Sequence, residues 1–436
     1  MSIAVEEYVR RRRQLMRMAG EDAAVLLAAA PLRVRSADAY WPYRQDSDFH
    51  YLSGFPEPDA VLALLPGRVH GEVVLFCRDR DPEHERWHGQ SIGTERAVES
   101  FAVDDAFPID DIDDILPGMI EGRARIHCHF GREPEFDARL LGWMRRLRQL
   151  RGGGVAPKDF VALGHLLHDL RLFKSRAELK LMRQAAELAA EAQLAAIRAT
   201  RAGRREYEIE AEVQRLIRAR GAAPAFAPIV AAGANACVMH YQACRATLRD
   251  GELLLVDAGA EVECYASDIT RTWPVNGRFS WPQRALYEVV HAAQRAALAR
   301  IAPGQPFDAP HRAAVRVIAE GLCALGLVEG DVDSLIAEQG YRRFFPGKTG
   351  HWLGLDVHDV GDYRVDGQPR VLEPGMVLTV EPGLYVAPDD DTVSEQWRGI
   401  GIRIEDEVAV TADGHELLSA GVPNAADAIE ALLASR

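Results

Sequence analysis

Asp257, Asp268, His351, Glu381 and Glu405 bring four carboxylates and one imidazole into contexts that could do chemistry. Asp257 closes the apolar run Leu253-Leu254-Leu255-Val256 and is followed by Ala258-Gly259. Asp268 opens Asp268-Ile269-Thr270-Arg271-Thr272, and His351 opens His351-Trp352-Leu353-Gly354-Leu355-Asp356-Val357-His358. Glu381 lies in Thr379-Val380-Glu381-Pro382-Gly383, and Glu405 in Gly401-Ile402-Arg403-Ile404-Glu405-Asp406. An oxygen-rich, anionic site with one imidazole suits hard to borderline divalent cations such as Mn²⁺. Two such cations held close together need bridging carboxylates, and four acidic groups can supply them.

Two hairpins would position them. A turn candidate near Glu261-Val262 separates Asp257 from Asp268, and a hairpin centred there sets the two aspartates opposite each other on one face. Glu381 and Glu405 repeat the arrangement, with the polar segment Pro388-Asp389-Asp390-Asp391-Thr392 as the connecting loop. Facing hairpins would converge four carboxylates, which repel strongly unless cations stand between them. Asp and Glu are rarely buried without a partner, and these four follow or interrupt apolar runs. Asp389-Asp390-Asp391, by contrast, reads as a solvated loop.

Around these residues the chain shows two parts. In the first, Ala24–Leu27, Ala60–Leu65 and Val73–Phe76 read as short buried strands. Phe136 to Leu150 reads as a helix stopped by Gly152-Gly153-Gly154, and Pro157 to about Leu172 as another. The change of domain falls at Lys174-Ser175, where Ser175 and Glu178 form a capping box for a long amphipathic helix. A helix from near Arg205 follows, then strands over Leu253–Val256 and Asp268–Trp273. Helices over Pro282–Ile301 and Pro310–Leu325 come next, then strands over Val377–Glu381 and Ile400–Val410. Helix pair, strands, helix pair, strands is the order expected of an internal duplication.

Composition sets limits. The 436 residues predict two domains with substantial cores. A net charge of −14 argues against nucleic acid or an anionic membrane as partner. Arg10-Arg11-Arg12-Arg13 reads as a solvated helix face. The six cysteines lack C-x-x-C spacing, so reduced, mostly buried thiols are expected. In His127-Cys128-His129, strand alternation would turn the histidines to one face and the cysteine to the other, so no single site uses all three. No signal peptide or membrane span is read, and the cytoplasm is the expected location.

The order Asp, Asp, His, Glu, Glu in these contexts resembles the metallopeptidases of the pita-bread fold, and aminopeptidase P, the Xaa-Pro aminopeptidases, in particular. The resemblance begins at Arg35-Ser36-Ala37-Asp38 and Pro42-Tyr43-Arg44-Gln45-Asp46-Ser47-Asp48-Phe49, includes Leu52-Ser53-Gly54-Phe55, and runs past Glu405. It implies an α/β N-terminal domain of the creatinase/prolidase type over residues 1–173, serving oligomerisation and substrate-length selection. An α+β pita-bread catalytic domain would occupy residues 174–436. It implies two divalent metal ions, Mn²⁺ being the expected one. Asp257 would bind one, His351 and Glu381 the other, and Asp268 and Glu405 would bridge. A hydroxide between the metals would attack the peptide bond, with Glu381 as proton shuttle. His358 would donate to the oxyanion and His240 would touch the substrate. Tyr385 and Arg403 match positions that tune the ligands. Arg86-Trp87-His88-Gly89 resembles a segment that reaches a neighbouring subunit's active site, which implies a homo-oligomer, dimer or tetramer, and a substrate contact for Trp87. Peptides with proline in second position are the implied substrates.

One position departs from the pattern. Where the family has a histidine four residues before the ligand histidine, this chain has Gly347, leaving a water or Lys348 to fill the gap. The metal ligands are unaffected, but efficiency or Xaa-Pro preference is put in question. A prolidase restricted to Xaa-Pro dipeptides shares every metal ligand and is the alternative, as is a weakened, peptide-binding relative. Methionine aminopeptidase lacks the large N-terminal domain, and creatinase-like enzymes lack the five ligands.

Overall fold

The computed structural model describes residues 3–150 and 154–436. The chain divides between Arg171 and Leu172 into two compact units. Among the described residues, no helix is long and apolar enough to cross a membrane.

The first unit is built on a six-stranded mixed sheet. Its spatial order is Asp105–Pro108, Val73–Cys77, Val61–Leu64, Ala23–Ala28, Arg125–Cys128, Asp159–Ala162. The three apolar runs singled out in the sequence form its antiparallel centre, and the outer strands add in parallel. Helices Ile112–Ile120 and Pro134–Arg148 cover one face with Leu116, Ile120, Leu140, Trp143 and Leu147. This is the α/β domain expected.

Three expectations need correction here. Pro157 to Leu172 is not one helix: Asp159–Ala162 pairs in parallel with Arg125–Cys128, and the helix runs only over Gly164–Leu172. Phe160 and Val161 suit an edge strand, and the open sheet edge captures them before the helix begins. Gly152 and Gly153, read as a helix stop, lie outside the described residues. Arg11 and Arg12 are buried rather than solvated. Arg12 donates to the carbonyls of Phe101 and Ala102, at the exposed carbonyl end of helix Gly93–Phe101. Arg11 donates to the Tyr51 carbonyl and lies 4.0 Å from that ring's centroid. Finally, only Cys77 and Cys128 are buried, the other four thiols being partly accessible.

The histidine alternation holds. His127 stacks on His165 and His129 on His168, with ring centroids 5.8 and 6.3 Å apart, while Cys128 turns into the core. His129 also reaches Asp48, from the motif Gln45-Asp46-Ser47-Asp48-Phe49. There Asp46 caps helix Ser47–Ser53 by accepting the Phe49 N–H. Asp48 is buried; Nη1 of Arg171, also buried, stands 2.7 Å away and Nε2 of His129 2.9 Å. Burial alone would raise the Asp48 carboxyl, but Arg171 and His129 outweigh it and hold it well below the usual carboxylate range.

The second unit repeats one pattern. Helices Arg176–Ala199 and Glu206–Ala219 precede the sheet Ile229–Ala232, Leu253–Ala258, Ile269–Pro274. Helices Trp281–Leu298 and Ala309–Ala324 precede Val377–Val380, Asp406–Val410 and His415–Leu417. The long helix of each half carries a fully buried glutamine that donates to the strands following it. Gln193 donates to the carbonyls of Val256 and Ile269, and Gln294 to Asp406 Oδ2. The Ser175–Glu178 capping box starts the first helix as read.

Removing one partner from a buried ion pair leaves an unpaired charge. Asp48→Ala is therefore expected to lower the stability of the first unit by about 3–5 kcal/mol in denaturant titration near neutral pH. Because the native Asp48 value lies below its unfolded one, the pair's contribution is complete above about pH 5 and drains away as the pH falls through the acid range. The gap between wild type and variant should narrow below about pH 4; a gap that does not change with pH would remove Asp48 from this role.

Candidate metal centre

The first pair of acids sits on the hairpin from Leu253–Ala258 to Ile269–Pro274. Its turn falls at Glu263-Cys264, two residues later than expected, because both take positive φ, 50° and 66°. The register shifts accordingly. Asp257 faces Thr270, and Asp268 falls across from Gly259. The two aspartates share a face diagonally rather than directly. A Cβ on Gly259 would come within 1.8 Å of the Ser267 carbonyl, so this close crossing admits only glycine.

The second pair sits where two strands break. The expected single strand over Ile400–Val410 is two, Gly401–Arg403 and Asp406–Val410. Between them the Glu405 N–H leaves the ladder and donates to the Thr270 carbonyl of the other hairpin at 3.0 Å. Across the break, the Val377–Val380 strand stops before Glu381, whose N–H donates to the Thr349 carbonyl at 2.7 Å. Pro382 then offers no donor to resume pairing. Register from Val380–Asp406 and Gly383–Arg403 sets Glu381 and Glu405 opposite each other. His351 enters from the loop beside them, its own N–H held by Thr379 Oγ1.

These elements bring Asp257, Asp268, His351, Glu381 and Glu405 to one cleft of about 400 Å³. His351 Nε2 lies 3.6 Å from both Asp268 Oδ2 and Glu381 Oε1. Its Nδ1 stands 2.9 Å from the Trp352 carbonyl, which can only accept, so Nδ1 carries the proton and Nε2 presents a lone pair. Ligand atoms of Asp268, His351 and Glu405 lie within 4.8 Å of one another, spacing that suits a shared ion. The buried atoms Asp257 Oδ1 and Asp268 Oδ1 have no hydrogen-bond partner among the described residues. Orphaned carboxylate oxygens facing other carboxylates are what a divalent cation would satisfy.

Electrostatics agree. Burial, then Glu405, Asp257 and Glu381, push the Asp268 carboxyl well above its ordinary range. Burial, then Glu381 and Asp257, do the same to Glu405. Burial raises Glu381 to about 7 although Arg403 opposes it, and burial lowers His351 to about 4. Arg403 answers these charges directly. It is buried, donates to Asp257 Oδ2 at 2.6 Å and to the Tyr385 hydroxyl at 3.1 Å, and is held well above its usual value because the surrounding anions outweigh burial.

The remaining expected residues divide. His358 lines the cleft, its ring edge-on to His351 with centroids 4.3 Å apart, and His240 is exposed at the rim. Tyr385 stands behind, through Arg403. Trp87 does not line this cleft; it is 78% exposed on helix Pro82–His88, which buries no side chain. Asp390, in the loop run, is paired with Arg343 and takes no part. Several contributors were not singled out in the sequence. Thr270 donates to Glu405 Oε2 at 2.6 Å and accepts from Arg403 Nε. Thr379 orients His351, and buried Glu407 accepts the Asp268 N–H. Thr270 and Thr379 each lie two residues from a site acid, so strand alternation alone puts them on the same face.

Comparison with known proteins gives a consistent result. Residues 180–412 match the metallopeptidase family M24, and residues 8–127 match the aminopeptidase P N-terminal domain. The chain is 42% identical to the Xaa-Pro aminopeptidase of Escherichia coli over 99% of its length and 98% of that protein. It superposes on the aminopeptidase PepP of Pseudomonas aeruginosa with a TM-score of 0.98 and 55% identity, covering 99% and 98% of the two chains. Against E. coli aminopeptidase P with the inhibitor Pro-Leu the TM-score is 0.97 at 42% identity, covering 100% and 99%.

A cluster held together by cations should respond to mutation in opposite ways with and without them. In protein freed of metal by chelation, Asp268→Asn is expected to raise the melting temperature by relieving repulsion. With Mn²⁺ added, wild type should gain about 2–3 kcal/mol at a hundredfold excess over Kd, and the variant much less. A variant less stable than wild type without metal, and equally stabilised with it, would argue against a cation site here.

Proposed function

Because the chain belongs to metallopeptidase family M24 and within it to the Xaa-Pro aminopeptidases, we propose that it hydrolyses the N-terminal Xaa-Pro bond of peptides at the cleft around His351. The single observation that carries the reading is the convergence of four carboxylates and one imidazole with orphaned oxygens in that cleft. Two divalent cations would suit this donor set, held by Asp257, Asp268, His351, Glu381 and Glu405; Mn²⁺ is the metal we expect. When bound, they would polarise the scissile carbonyl and lower the pKa of the attacking water.

The chain's own residues would do the rest. Glu381 stands partly exposed at its strand break, where its carboxylate can take a proton from water and pass it to the prolyl nitrogen. That nitrogen has no hydrogen in the peptide and must be given one to leave. His358, exposed and packed edge-on against His351, would donate to the oxyanion, and His240 at the rim would orient the substrate. Arg403, fixed by Tyr385, would hold Asp257 in place. Trp87 is free to enter a neighbouring subunit, which supports a homo-oligomer in which the N-terminal domain helps select substrate length.

Gly347 leaves all five expected metal ligands in the cleft. It does not need a positive φ, and a Cβ there would meet only Met239 Cε, at 3.0 Å, so a side chain is missing rather than excluded.

Wild type with Mn²⁺ is expected to cleave an Xaa-Pro-Xaa tripeptide and to act poorly on the matching Xaa-Pro dipeptide; cleavage of the dipeptide alone would make it a prolidase. Glu381→Ala should cost about 10²–10⁴ in kcat, and full turnover in that variant would take Glu381 out of the mechanism. If neither peptide is cleaved, rescue by Gly347→His would identify a silenced enzyme. Trp87→Ala is expected to lower kcat/KM while sedimentation shows an unchanged oligomer, and an unaffected rate would reject its substrate contact.

A further inference from the structure

Beside the acidic cleft lies a second cavity of about 520 Å³, and the two share Lys348, Gly350 and Tyr363. Its chemistry is the opposite. Lys348, Arg342 and Arg364 line it, and none pairs with a carboxylate among the described residues. Lys348 lies over the Tyr363 ring, with Nζ 5.6 Å from the centroid. Arg342 donates to Gln339 Oε1, and Arg364 to the Gly367 carbonyl. The one acid on the wall, Asp308, is already paired with Arg312. His311 adds a ring whose Nδ1 lies 2.8 Å from Thr349 Oγ1.

From this we infer that the second cavity is a subsite for a carboxylate on the leaving-group side of the peptide, with Lys348 and Arg364 as its anion-binding residues. The inference rests on the Xaa-Pro aminopeptidase reading and adds a substrate preference to it. Polarity sets the direction. The three cations of the second cavity repel a peptide's N-terminal ammonium and attract its carboxylate end, so the chain after proline runs towards that cavity. Only one residue precedes the scissile bond, so everything else must be accommodated on that side. A volume of this size takes a further residue or two. Gly347 keeps the passage open: it lines the second cavity, and its missing Cβ would touch Met239, which lines the first. A side chain there would stand at the join.

The carboxylate has two sources, the peptide's C-terminus or an acidic side chain. Calorimetric binding to the Mn²⁺-loaded protein would compare Pro-Leu with Pro-Leu-amide for the first, and Pro-Glu-amide with Pro-Gln-amide for the second. In wild type at least one acid should bind about three- to tenfold more tightly than its neutral partner, the range expected of one or two exposed ion pairs. In Lys348→Ala/Arg364→Ala that preference should vanish, while Lys348→Arg/Arg364→Lys should retain it, which separates charge from loss of fold. Equal binding of acid and neutral forms in wild type, or a preference that survives the double alanine variant, would overturn the assignment. Turnover of Ala-Pro-Leu-amide, measured alongside, reads the underlying activity independently: its absence would sink the aminopeptidase reading while the binding comparison still decides the subsite.

Discussion

The second unit depends on two backbone N–H groups that leave their own strands. Glu381 gives its N–H to Thr349 and Glu405 gives its N–H to Thr270, at the same level of the sheet. Had either stayed in the ladder, strand alternation would have continued and the hairpin would have closed without a gap. Breaking both strands together opens a cleft exactly where two carboxylates face each other, and ties each glutamate to a different segment. The Thr270 carbonyl belongs to the first hairpin, so the diverted bond joins the two halves of the duplicated unit through the site itself.

Around that break, alternation sorts the polar side chains to two sides. Thr270 and Arg403 serve the cleft, while Arg271, one residue on, turns away and pairs with buried Asp406 at 2.6 Å. Arg271 also donates to the Glu405 carbonyl, so both main-chain polar groups of Glu405 are held from the first hairpin. Glu381 and Glu405 therefore rest on a frame bonded through their main chains. What the frame leaves unsatisfied is charge, and it leaves it on one side only.

Much of this was legible in the sequence because it depended on local pattern. The apolar runs and the capping box at Ser175 reach the expected elements, and the five site residues meet in one cleft, although Asp268, Glu381 and Glu405 stand just outside the strands expected to carry them. What failed depended on partners distant in the chain. Nothing near Asp159 says that a parallel neighbour awaits it. Arg11 and Arg12 look like a charged surface until the carbonyls of Tyr51, Phe101 and Ala102 are brought against them. The hairpin turn was placed two residues early because Glu263-Cys264 lacks the Asn-Gly or Gly-Gly signature of a two-residue turn with positive φ. Glu407 read as an ordinary strand residue, although its carboxylate is buried on the Asp268 N–H.

The same reasoning changes the meaning of Gly347. Seen only as a motif with one histidine absent, it suggests a loss. In the fold, the position stands between an acidic compartment and a basic one, and the backbone there makes no demand for glycine. A bulky side chain at such a join would narrow the route between the two; its absence leaves Lys348 exposed to both. An acidic cleft holds cations, and any carboxylate charge those cations leave uncompensated repels anionic groups further along a peptide. Setting cations immediately beyond the cleft offsets that repulsion where the chain leaves it. The departure from the family pattern thus falls between the two compartments, beside the five expected ligands and not among them.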